Sequence, residues 1–139
     1  MATETERALR GMIRTGTVSA VYPENGTARV VFDDKDDTTS PELHIVHRFS
    51  GMNKDYWVPD IGDQVVCIFA NNDTNFSTGW ILGSYFTDKH PPQVASPDIM
   101  RLDFADGSFM EYNRGNSSLT IKVMGQIKIN GAEIHLNKP

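Results

Sequence analysis

The chain is poor in the features that usually announce chemistry. Among its 139 residues there is one cysteine, Cys67. That excludes an intrachain disulfide and any cysteine-based zinc site. Cys67 lies in the run Gln64-Val65-Val66-Cys67-Ile68-Phe69 with no activating histidine or helix start beside it, so it is expected to be a buried, inert thiol. There is no G-x-S-x-G, no H-E-x-x-H, no phosphate-binding glycine loop and no clear pair of acids. No enzyme is expected, and no cofactor. No apolar run nears the roughly 20 residues that span a bilayer. The opening MATETERALRG has no apolar core of a secretory signal. The sequons at Asn25, Asn72, Asn75 and Asn116 are therefore expected to be chance matches. A basic excess is missing too: 18 acids face 13 bases, a net charge of −5, which argues against a dedicated nucleic-acid binder.

What is present is short strands. Residues 1–11 suggest one helix or arm, capped by Thr3, with Glu4 and Glu6 in its first turn, Arg10 near its end and Gly11 as its stop. Five strands then follow. They are Ile13 to Val21, with Gly16 as a bend or bulge; Thr27 to Asp33, returning through Pro23-Glu24-Asn25-Gly26; Leu43 to Phe49; Gln64 to Ala70; and Gly79 to Phe86. No helical period interrupts them, so an α/β fold is excluded. Five strands in this length with a glycine bend in the first predict a closed barrel of the OB type over residues 12–88.

Residues 89–97 contain Pro91, Pro92 and Pro97 without apolar periodicity and are expected to be a linker. Beyond them, residues 98–139 repeat short period-two segments broken by Gly or Asn-Gly. Leu102 and Phe104 precede the turn Asp106-Gly107, and Leu119, Ile121 and Val123 alternate with Thr120 and Lys122. Ile127 and Ile129 flank Lys128, and Ile134 and Leu136 flank His135. This tail is about the size below which chains seldom fold alone, roughly 40 residues. Each strand has one apolar face, and the sequence offers no second layer to cover it. Copies of the chain must cover it, and a threefold prism would do so while shielding the strand edges. Charge permits this: residues 1–96 hold 13 acids and 8 bases, whereas residues 97–139 hold five of each. Leu119, Ile121, Val123, Ile127, Ile129, Ile134 and Leu136 are the expected trimer core, with Lys122, Lys128 and His135 outside.

The order of several segments resembles the phage baseplate assembly protein V family, the central spikes of contractile tails and related injection particles. The segments are Ile13-Arg14-Thr15-Gly16-Thr17-Val18; Tyr56-Trp57-Val58-Pro59 with Ile61-Gly62-Asp63-Gln64-Val65; Gly79-Trp80-Ile81-Leu82-Gly83-Ser84-Tyr85; Pro91-Pro92; and Arg101 through Tyr112. The resemblance implies an all-β chain with an N-terminal OB-fold barrel and a C-terminal triple-stranded β-helix formed by a homotrimer. It implies a structural, membrane-puncturing role in the baseplate of a virion or tail-like particle, assembled in the bacterial cytoplasm. The implied partners are the baseplate hub, the tail-tube proteins, a cap protein at the tip and, transiently, the target membrane. Some relatives carry a lysozyme domain between the two parts; here a short linker stands there. Others bind iron through a tip His-x-His pair; here only His135 is near the end, and no metal is expected.

Other sites are weaker. His44 and His47 should fall on opposite faces of one strand and cannot share an ion. Asp33-Asp34-Lys35-Asp36-Asp37 lacks the glycine and distal glutamate of a calcium loop. Trp57, Trp80, Tyr56 and Tyr85 could stack bases, but the domain is acidic, so core packing or protein contact is expected instead. The alternative to a spike is an OB-fold binding module for nucleic acid or glycan with an oligomerising tail. Salt-dependent binding of single-stranded DNA would favour it.

Overall fold

A computed structural model describes residues 3–33, 38–70 and 78–137. The acidic loop residues Asp34 to Asp37 and the sequons at Asn72 and Asn75 lie outside the described residues. The chain divides into two compact units, Met1–Pro91 and Pro92–Pro139, and the division falls inside the proline-rich stretch.

Helix α1 spans Glu4–Met12. Thr3 caps it by accepting the Glu6 amide at 3.1 Å, and Glu4 and Glu6 complement the positive end of the helix. Gly11 does not stop it. The helix runs one residue further and ends where Ile13 turns extended, because strand pairing begins there.

Strand β1 (Ile13–Tyr22) is long enough to serve two neighbours. It pairs antiparallel with β2 (Thr27–Phe32) and, through its first half, with β4 (Gln64–Phe69). Strand β3 (Leu43–Ile45) pairs with β2 and, in parallel, with β5 (Gly79–Ser84), which returns to β4. The order β1-β2-β3-β5-β4 closes on itself. This is the five-stranded OB barrel that the strand spacing predicts.

Alternation puts every second side chain inside. Val18, Ala28, Val30, Phe32, Leu43, Ile45, Val65, Cys67, Phe69 and Ile81 form the core. Phe32 and Phe69 meet edge to face at 5.5 Å. Burial pushes the Cys67 thiol up to about 12, so it is a packing group, as expected. Gly16 is not the bulge. It pairs with both Phe32 and Val65, where β1 is clasped on both sides. A Cβ there would lie 2.4 Å from Val30 Cγ1 and 2.5 Å from the Val31 carbonyl oxygen. The bulge falls two to three residues later, at the register shift between Val18 and Ala20.

The third strand is shorter than its composition suggests. After Val46, whose amide still donates to the Ile81 carbonyl at 2.9 Å, the chain leaves the sheet into a braced turn. Asp55 accepts Arg48 Nε at 2.8 Å and the Phe49 amide at 3.0 Å. The guanidinium, then the amide, hold the Asp55 carboxyl below its ordinary range. These local bonds take the place of ladder bonds from Arg48 on.

Candidate functional site

In the second unit, strands β6 (Ile99–Asp103), β7 (Phe109–Asn113) and β8 (Ser118–Lys122) form an antiparallel meander. Its first turn uses Gly107 at φ +94°, a conformation that favours glycine. Asp106 accepts the Ser108 amide at 2.9 Å. That amide, then the Ser108 hydroxyl, lower the Asp106 pKa. The tie is therefore present at neutral pH and is lost as pH falls through the lowered value. In the second turn Asn113 and Asn116 accept the amides of Gly115 and Ser118.

Register sorts the side chains into two unlike faces. One face carries the row Arg101, Glu111, Thr120 and the row Asp103, Phe109, Lys122. Arg101 binds Asp103 at 2.7 Å and Glu111 at 2.8 Å, with its guanidinium 3.8 Å from the centre of the Phe109 ring. This face satisfies itself. The other face carries Met100, Tyr112, Leu119 and, one row on, Leu102, Met110, Ile121. Each of these six is large, and each is exposed in the single chain, Met100 by 76% and Leu119 by 63%. A sheet that shelters its arginine while leaving its methionines wet is missing a layer.

The chain then runs on without a partner. Met124 is tied back by its amide to Ser108 Oγ at 3.0 Å. Among the described residues, 125–137 form no backbone–backbone hydrogen bond and no strand. The expected strands around Ile127–Ile129 and Ile134–Leu136 are not formed among the described residues. Ile127, Ile129, Ile134 and Leu136 are at least half exposed. Backbone amides and carbonyls demand partners once away from water.

Of the seven expected core residues, Leu119 and Ile121 share the apolar face of the sheet, and Lys122 lies on the opposite face. Val123, Ile127, Ile129, Ile134 and Leu136 are exposed in the single chain. Met100, Leu102, Met110 and Tyr112 belong to the same face and are absent from that set. The Asp-Gly hairpin was the signal for them, since a tight turn fixes which residues stand opposite.

The minor sites sort as follows. His135 Nε2 lies 2.9 Å from Glu133 Oε2, both exposed, and the described residues hold no cluster of three metal-capable side chains. His44 is exposed, whereas His47 is half-buried and meets Trp57 edge to face with ring centres 6.4 Å apart; some atoms of both border one shallow cavity beside Trp80. Trp57 packs on the barrel core and donates to the Val46 carbonyl at 3.4 Å. Trp80, Tyr56 and Tyr85 are at the surface.

Residues 14–86 match the family described as the Type VI secretion system/phage-baseplate injector OB domain. The chain belongs to the phage baseplate assembly protein V family. It is also 30% identical, over 118 residues, to the spike protein of Escherichia phage P2, an alignment covering 85% of this chain and 54% of that protein. The chain thus spans about half the length of this curated relative. In family terms, the matched span holds the five barrel strands except Ile13, and the longer P2 alignment must also take in part of the second unit.

Proposed function

We propose that this protein is the central spike of the baseplate in a phage or tail-like contractile injection particle. Three copies assemble. Their barrels form a collar below the tail tube, in contact with the baseplate hub and tube proteins. Their second units form a triple-stranded β-helical shaft that is driven through the target envelope, with its tip bare or covered by a cap protein. The role is structural, without catalysis or nucleic-acid binding, and the particle is assembled in the bacterial cytoplasm.

The observation that supports this reading is the combination in residues 99–137: a sheet with one large, exposed apolar face, followed by a segment without backbone partners among the described residues. Three such faces turned inward make a dry prism, and three such segments wound together supply one another's hydrogen bonds. A shaft of this kind resists bending, because many interchain bonds must break at once.

The test of the role is location. Antibody raised against the purified chain should label the axial tip of isolated, negatively stained particles, below the tube. Label along the sheath, or none on particles from a host that expresses the protein, would contradict it.

A further inference from the structure

We propose that the open cavity between the β1–β2 turn, β3 and β5 is a docking socket for an arginine side chain of a partner protein. The cavity measures about 430 Å³ and is walled by Asn25, His44, His47, Ser50 and Trp80. That is ample for a guanidinium and its stem. It lies wholly within the barrel unit, so the inference does not depend on threefold assembly.

Three features select the ligand. The first is Trp80. Its ring stands on the outer side of β5, opposite His44 in register, and is 39% exposed. An exposed indole face attracts cations, and guanidinium stacks on it better than ammonium does. The second is Glu42, which is bonded to the wall residue Asn25. Its Oε1 accepts Thr27 Oγ1 at 2.6 Å and Asn25 Nδ2 at 3.4 Å, which leaves Oε2 open among the described residues. The Thr27 and Asn25 bonds also keep this carboxyl ionised by lowering its pKa. The third is charge. Among the described residues that line the cavity there is no lysine or arginine to fill it from within. Arginine anchors seated in such pockets dominate many protein interfaces. A neutral sugar could stack on Trp80, but it would make no use of the Glu42 charge.

The test is a titration of the full ¹⁵N-labelled chain at pH 8 and low salt, following the Trp80 indole N–H signal. The probes are N-acetylarginine amide, its neutral isostere N-acetylcitrulline amide, and a neutral oligosaccharide. The arginine probe should shift the signal saturably in the millimolar range and the citrulline probe should not. Glu42→Gln, which keeps the Thr27 bond, should weaken arginine binding by up to roughly fivefold, as expected for an exposed ion pair. Trp80→Leu, followed through the neighbouring backbone amides, should weaken it by a similar factor. Equal shifts with citrulline, no saturable shift with arginine, tighter binding of the oligosaccharide, or indifference to Glu42→Gln would each overturn the proposal.

Discussion

Ile129→Asp should abolish threefold assembly, while Lys128→Asp, one residue away, should leave it nearly intact. Ile129 is exposed in the single chain, in a segment whose backbone has no intrachain partner. In the proposed shaft it faces the axis. A change in one chain is then made three times, in one place. Three carboxylates would crowd a dry interior with no cation to pair them. Each unpaired buried charge costs several kcal/mol, and typical domain stability is roughly 5–15 kcal/mol. Lys128, by alternation, points to water, where exchanging one charged group for another costs little. Gel filtration and thermal unfolding of the two variants decide between these registers. Equal tolerance, or greater damage from Lys128→Asp, would mean that the other face is inside.

Removing the second unit should have an effect as large and opposite in kind. A chain ending at Asp88 should stay folded and lose most of its association. The core residues Val18 through Ile81 all lie before that point, and the closed order of the five strands needs nothing beyond it. What is removed is the apolar face of β6 to β8 and the unpaired segment after it. Circular dichroism should retain the barrel's cooperative melt while sedimentation gives a monomer. A fragment as firmly trimeric as the full chain would place the main interface on the barrel instead.

The barrel was legible because its signals are local and agree with one another. Short apolar runs are separated by polar or glycine-containing turns, as at Asn25-Gly26, where Gly26 has φ +66°. What escaped were competitions between neighbours. Strand pairing at Ile13 set the end of α1 rather than Gly11. The Arg48–Asp55 brace closes a local turn where the third strand was expected to run on to Phe49. Neither effect can be read from composition, since each depends on a contact made elsewhere.

The tail was legible in a different sense. Its alternation fixed the apolar face of Leu119 and Ile121, and the structure adds Met100, Leu102, Met110 and Tyr112 to that face through the hairpin register. At Ile127 to Leu136 the same alternation yields no strand in one chain. A strand is a relation between two segments, and among the described residues no second segment pairs with this one. Apolar alternation without an intrachain partner is the pattern expected of a strand completed by another copy.

The central claim, that three chains complete one shaft, is met most directly by the mass in solution. Multi-angle light scattering of the full chain at micromolar concentration should give three times the 15.5 kDa chain mass. A folded species at 15.5 kDa, stable on dilution with its apolar face still bare, would contradict the shaft and the spike together.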